Sequence, residues 1–254
     1  MNAHQIRTMM GLLRSVLMYY AIPGRYGRMR RFYSQFIQPG DLCFDVGGHV
    51  GNRVRAWLAL GARVVVVEPQ PVMLRWLQWL YGRHPRVTLV PAAVGARSGT
   101  ATLHVSSRTP TVSTLSTDWI ATVQQDPSFG TVAWDTAVSV PVFTLDELVE
   151  QYGRPAFCKL DIEGYELEAL RGLSCPLATL SFEHIPAAAG LTTACLARLG
   201  ELGNYVYNFA SGESQRLHFP GWLPPDGLQA ALPRLPPGSG DVYARWVQAN
   251  PAPK

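Results

Sequence analysis

The sequence predicts an α/β protein built on a mostly parallel sheet. Short apolar runs alternate with segments whose apolar residues recur at helical spacing. One run, Arg63–Val67, is β-branched after its first residue, the pattern of a strand buried on both faces. The runs end in glycine-rich or acidic residues, where open α/β sheets bind ligands. The 254 residues, 47% hydrophobic and 16% charged, suit one large domain or one domain with an extension. Ordinary apolar content and a net charge of +4 exclude a disordered chain. No repeat of 20–50 residues points to a solenoid.

Residues 1–40 carry Arg7, Arg14, Arg25, Arg28, Arg30 and Arg31 and no acid. Within them, residues 9–22 are apolar but interrupted by Arg14, short of the ~18–20 residues that span a bilayer. They also lack the unbroken apolar core and cleavage site of a signal peptide. The reading is a basic helical extension, 1–40, packed on a main domain, 41–254. Peripheral contact with a membrane surface is the alternative role of that helix. Cys43, Cys158, Cys175 and Cys195 form no C-x-x-C pair and no zinc spacing, which favours a reducing, cytoplasmic setting.

Leu42–Val46 reads as a strand running into a tight Gly-Gly turn, followed by a helix within 50–60. Arg63–Val67 is the second strand, Val72–Tyr81 a helix and Val87–Val90 the third strand. Such alternation implies right-handed crossovers. Thr100–Val105 is an added strand, and 106–136, rich in Ser, Thr, Asp and Pro, reads as a long loop or lid. Val138–Phe143 is a strand, and Thr144 with Glu147 has the spacing of a capping box. Ala156–Leu160, Ala178–Phe182 and Tyr205–Phe209 are strands, with helices ending at Arg171 and spanning 191–201. The six prolines of 220–237 mark a loop, and Asp241–Val247 alternates like a closing antiparallel strand.

Four polar clusters fall at strand ends: Asp45 to Gly48, Glu68-Pro69, Asp161-Ile162-Glu163 and Glu183-His184. If the strands are parallel, all four meet on one rim. The first turn, Asp45-Val46-Gly47-Gly48-His49-Val50-Gly51-Asn52, lacks glycine at i, i+2 and i+5, so the dinucleotide fingerprint fails. An acid at that strand end suits a cationic ligand and repels a pyrophosphate. Glu68 ends the second strand, where a carboxylate can accept from both hydroxyls of an adenosine ribose. That placement is common to NAD enzymes and methyltransferases.

The ordered set DVGGHVGN (45–52), VEPQP (67–71), VPAAVG (90–95), VPVFTLDEL (140–148), KLDIEGYELEALRG (159–172) and LSFEH (180–184) resembles the FkbM family of S-adenosylmethionine-dependent methyltransferases. The resemblance covers about residues 40–185. It implies the class I methyltransferase (Rossmann-like) fold, a mostly parallel seven-stranded sheet with helices on both faces. It implies S-adenosyl-L-methionine as cofactor and methyl transfer to a hydroxyl of a small molecule, sugar or glycolipid, with no nucleic acid as partner. Carried over by position, the cofactor residues are Asp45, Gly47, Gly48, His49, Gly51 and Asn52 in the loop. Glu68 and Pro69 follow the second strand, Ala92 and Ala93 the third, and Asp161 and Glu163 lie beside the methyl-transfer centre. His49 departs from the small or amide residue often found there.

A hydroxyl acceptor must lose its proton as the bond forms. The candidates are Asp161, otherwise a cap for the following helix, and His184, otherwise a hydrogen-bonded core or rim histidine, with Glu163 beside Asp161 and Lys159 placed either to hold a carboxylate or to form a simple ion pair. Asp161→Ala is expected to abolish turnover and leave the fold intact. Two carboxylates are too few for a hard cation, so no metal is expected. Specificity is expected from 106–136 and the proline-rich 210–240. Trp119, Phe129 and Trp134 either stack on a sugar or pack, and Arg25, Arg28, Arg30 and Arg31 would favour an anionic acceptor. A nicotinamide oxidoreductase and a methyltransferase-shaped binding protein without turnover are the competing classes.

Overall fold

In a computed structural model, which describes residues 3–235 and 238–247, helices α1 (Ala3–Tyr20) and α2 (Arg25–Tyr33) precede the first strand. Then come β1 (Leu42–Val46), α3 (Asn52–Ala59), β2 (Arg63–Val67), α4 (Pro71–Tyr81), β3 (Val87–Val90), β4 (Ala93–Val94) and β5 (Gly99–Val105). The middle holds α5 (Thr117–Val123), β6 (Thr136–Phe143), α6 (Leu145–Tyr152), β7 (Phe157–Leu160) and α7 (Glu166–Arg171). The chain continues through β8 (Thr179–His184), α8 (Ala189–Leu202), β9 (Tyr205–Ser211), α9 (Pro225–Ala231) and β10 (Gly240–Trp246).

Seven strands form one sheet in the order β3-β2-β1-β7-β8-β10-β9. All are parallel except β10, which runs antiparallel between β8 and β9. This is the class I methyltransferase topology. β1 and β7 are buried at every residue, which explains why they are apolar apart from one charged residue each, Asp45 and Lys159. The register aligns Val46 with Val67 on one side and Leu160 on the other, so the ends of β1, β2 and β7 lie level. One apolar cluster on the sheet includes Leu145, Leu170, Leu196 and Leu228, from α6 to α9. The other includes Met29 and Phe32 of α2, Trp57 of α3 and Leu77 of α4. Residues 25–37 thus supply core aromatics: Phe36 stacks on Tyr243 and on Phe157, at centroid distances of 5.4 and 5.5 Å.

The capping box forms as its spacing predicts. The Glu147 amide donates to Thr144 Oγ1 (3.1 Å), and the Thr144 amide donates to Glu147 Oε2 (2.8 Å). Three features differ from the sequence expectation. β4, β6 and β5 make a second, three-stranded sheet. Residues 106–136 are not a loose loop: they contain α5 and an aromatic nucleus in which Trp119 packs edge-on against Phe129 and Trp134. The proline-rich 220–237 contains α9, with Pro225 at its first turn, where proline costs no hydrogen bond; residues 236–237 lie outside the described residues. Both segments find partners distant in sequence, which local composition does not reveal.

Candidate active site

The four polar strand ends do converge. They open onto one cleft, bounded also by Tyr19 of α1, by Thr111, Ser113 and Leu115, by Gly212 and Glu213 after β9, and by Gly240 and Asp241 of β10. The cleft encloses about 1160 Å³ open to solvent, ample for a nucleoside-sized ligand and an acceptor.

Of the expected cofactor residues, Gly47, His49, Asn52, Glu68, Pro69, Ala92, Ala93 and Asp161 line the cleft. Gly47 has φ 86°, and a Cβ there would sit 1.9 Å from the Asp161 carbonyl oxygen, so only glycine lets β1 turn against β7. Asp45, Gly48 and Gly51 stand behind the wall. Asp45 is fully buried with both carboxylate oxygens lacking a hydrogen-bond partner among the described residues, and burial lifts it to about 6. Gly51 forms the N-cap of α3, and Tyr81 Oη donates to its carbonyl (3.0 Å).

Glu68 receives the His49 amide (2.7 Å) and the Gln70 amide (2.8 Å), one on each oxygen. Burial raises it to about 7, opposed by those two bonds. Each oxygen keeps a second lone pair for another donor. His49 holds φ 46°, a conformation a non-glycine residue adopts only when its surroundings impose it. Its ring meets Tyr19 edge-on, and burial pushes it down to about 4, so it is neutral at pH 7. Its Nε2 and the Asn52 Nδ2 are buried without partners among the described residues.

The acidic side of the cleft divides into two parts. Asp161 receives Arg53 of α3 (2.8 Å) and lies 3.7 Å from Lys159 Nζ. Burial works against its charge, but Lys159 and Arg53 prevail and hold it below the ordinary carboxylate range. Lys159 is fully buried and bonds Asp241 at 2.6 Å. Burial disfavours its ammonium, yet Asp161 and Asp241 keep it above its ordinary value. Lys159 is thus ion-paired with two carboxylates and does not line the cleft.

Glu163 and Glu183 lie on the cleft with no ion pair among the described residues. One carboxylate oxygen from each of Asp161, Glu163 and Glu183 falls within 4.8 Å of the others. Burial, then Glu183 and Asp161, drive Glu163 well above the ordinary range; burial, then Asp161 and Glu166, do the same for Glu183. Glu183 Oε2 is buried and unpartnered. Glu163 holds φ 53°, and its carbonyl receives Thr114 Oγ1 (2.6 Å). Next to it, Gly164 faces the Trp119 ring so closely that a Cβ would lie 2.2 Å from it. The 106–136 segment thus fixes the acidic turn. These three carboxylates could also hold a hard cation, although Asp161 is already neutralised by two side chains.

His184 is a correction. It points away from the cleft: its Nδ1 pairs with Thr192 Oγ1 (2.8 Å), its ring meets Phe209 edge-on, and burial lowers its pKa. Side chains alternate along β8, so Glu183 faces the cleft and its neighbour faces the core. Trp119, Phe129 and Trp134 pack on one another and do not line the cleft. Arg25 is spent inside the protein on Glu213 (2.9 Å) and the Met18 carbonyl (2.7 Å). Arg53, Tyr19 and Asp241 were not singled out in the sequence; Glu183 was seen only as part of a polar strand end.

An adenosyl cofactor fits this lining. Glu68 has spare lone pairs, His49 and Asn52 offer unpartnered nitrogens, Val67, Ala92, Leu103 and Leu115 give apolar walls, and the acids suit a sulfonium. The model of the methyltransferase FkbM domain matches residues 45–185. The hexuronic acid methyltransferase AglP of Haloferax volcanii is 26% identical over 153 residues, 59% of this chain and 57% of that protein's length. Among solved structures, the TehB-like SAM-dependent methyltransferase of Corynebacterium glutamicum superposes with a TM-score of 0.45 at 10% identity, covering 87% of this chain and 88% of that one. The SAM-dependent O-methyltransferase of Thermotoga maritima gives 0.43 at 9% identity, covering 93% and 71%.

Proposed function

Because the chain belongs to the FkbM family of S-adenosylmethionine-dependent methyltransferases, we propose that it methylates a hydroxyl oxygen of a sugar, glycolipid or other small molecule, with Glu183 and Glu163 receiving the hydroxyl proton. The observation that carries this reading is the pair of cleft carboxylates without a cationic partner among the described residues, beside an Asp161 that has two. A relative named for hexuronic acid supports a sugar-type acceptor.

S-adenosylmethionine supplies a methyl group already activated by positive sulfur. Glu68, His49 and Asn52 would hold its adenosine and amino-acid parts, with Ala92 and Ala93 beside the base. Asp161, fixed as an anion by Arg53 and Lys159, is unsuited to take a proton but suited to orient a cationic ligand. Burial, with repulsion from neighbouring acids, raises both Glu163 and Glu183, so the pair holds a proton at higher pH than an isolated carboxylate and, once ionised, can take one from a hydroxyl. Alignment of the acceptor by the cleft walls contributes up to about 7–11 kcal/mol in ideal cases.

The test has two stages. Calorimetry should show S-adenosylmethionine and S-adenosylhomocysteine binding and NAD not binding. Isotope-labelled methyl should then appear as a methoxy signal when uronic acids and other hydroxylated sugars are offered. Label on nitrogen or carbon, or adenosyl ligands that fail to bind folded protein, would overturn the reading.

A further inference from the structure

Helix α1 is fixed along one face and bare along the other. On the inner face, a Cβ at Gly11 would lie 2.6 Å from the Ser107 carbonyl, Ser15 is buried and Tyr19 lines the cleft. Tyr20 Oη donates to the Val50 carbonyl (2.9 Å), which also receives Trp76 Nε1 of α4 (3.1 Å). On the outer face, Met10 is 65% exposed, Leu13 58% and Leu17 55%, with Met9 and Met18 beside them. On α4, which packs against α1, Trp79 is 74% exposed, its ring 5.2 Å from that of Trp76. A helix that packs normally hides its large apolar residues, and this one displays them.

The charges on this face are all of one sign. Arg7, Met10, Arg14 and Leu17 follow the three-four spacing of a single strip, and the helix contains no acid. Residues 1–86 hold twelve arginines, of which Arg25 and Arg53 are buried in ion pairs with Glu213 and Asp161, against three acids, of which Asp45 and Glu68 are buried in the site. Residues 87–254 hold ten basic against fifteen acidic residues. The excess positive charge thus lies in the part of the chain that bears the exposed apolar strip.

We propose that the outer face of α1, with Trp79, docks on an anionic lipid bilayer. At 18 residues the helix is about 27 Å long and lies along the surface; among the described residues no helix is long and apolar enough to cross a membrane. Apolar side chains enter the headgroup boundary, arginines meet lipid phosphates, and tryptophan takes the interfacial level it favours. A second copy of the chain fits this face less well, because a twofold pairing would set Arg7 and Arg14 against their own kind with no acid in the helix to offset them. Docking would hold Tyr19, and hence the cleft, beside the membrane. The proposal does not depend on which acceptor is methylated.

The test is sedimentation of the full chain with phosphatidylcholine vesicles, with and without one-third phosphatidylglycerol, at low and high salt. Partition onto the anionic vesicles should be about tenfold or more stronger than onto neutral ones, and should fall by a similar factor at high salt. Leu13→Glu with Leu17→Glu should abolish binding. Arg7→Gln with Arg14→Gln should remove the preference for anionic lipid. Both double variants should keep the wild-type circular dichroism spectrum and affinity for S-adenosylhomocysteine, since the replaced side chains face solvent. Wild-type protein that ignores anionic vesicles, or binds neutral ones equally well, overturns the proposal. So does light scattering that shows a dimer dispersed by Leu13→Glu with Leu17→Glu, which would assign the face to a second copy.

Discussion

Asp161 and Glu183 place carboxylate oxygens within 4.8 Å of each other, yet the protein treats them oppositely. Asp161 lies in a chain of alternating charge, Arg53–Asp161–Lys159–Asp241, drawn from α3, the end of β7 and β10. Glu183 makes no ion pair among the described residues, and the acids around it outweigh the more distant Lys159. The first arrangement locks one protonation state, and the second leaves it free to change. Residue type does not assign a role here; the supply of buried cations does.

Five changes would sharpen or break that contrast. Glu183→Gln should lower kcat about 10²–10⁴-fold while S-adenosylhomocysteine still binds, read by steady-state kinetics and calorimetry. In the wild type, kcat should rise with pH along a limb displaced above the ordinary carboxylate range, because the proton must first leave the pair. Stability should show the same displacement with opposite sign. The folded state holds these protons more tightly than the unfolded chain, so stability falls as pH climbs from the ordinary carboxylate range toward the raised values. Glu183→Gln should flatten that slope in urea titrations; an unchanged slope and kcat would place the proton elsewhere.

Asp161→Ala comes next, and the Arg53–Asp161 pair adds a stability cost to the expected loss of turnover. The variant leaves Arg53 buried without its carboxylate, a loss of about 3–5 kcal/mol by denaturant unfolding. Glu68→Ala should weaken S-adenosylmethionine binding by about tenfold to a hundredfold, the worth of a charge-assisted hydrogen bond or two. His184→Ala should leave kcat unchanged and cost about 1 kcal/mol of stability through the lost Thr192 bond. The smallest effect is expected from EDTA: activity should persist, because arginine and lysine already neutralise Asp161. Loss of activity, restored by Mg²⁺, would instead make the three carboxylates a metal site.

The succession of strands and helices from β1 to β3 and the rim of polar strand ends were legible because short apolar runs, clearest in the buried Val64–Val67 of β2, alternate with helical spacing and end in polar residues. Glu183 could have been preferred over His184 by strand alternation, given the register that sets Lys159 opposite Ser181. That register is a tertiary fact. Arg53 gave no local signal, since its meaning depends on a carboxylate 108 positions away. Residues 106–136 read as a loop because their polar composition hides three aromatics that find one another only on folding.

The position of β10 bears on how the molecule assembles during synthesis. Among the described residues β10 follows every other strand in chain order, yet its place is between β8 and β9. Asp241, which answers the buried charge of Lys159, emerges 82 residues after it. Until that segment leaves the ribosome, the half of the sheet beyond β8 has an open slot and the ammonium lacks its nearest anion. Completion of this wall of the cleft therefore waits for β10, and a nascent chain stalled before residue 240 would present an unpaired strand edge to other chains.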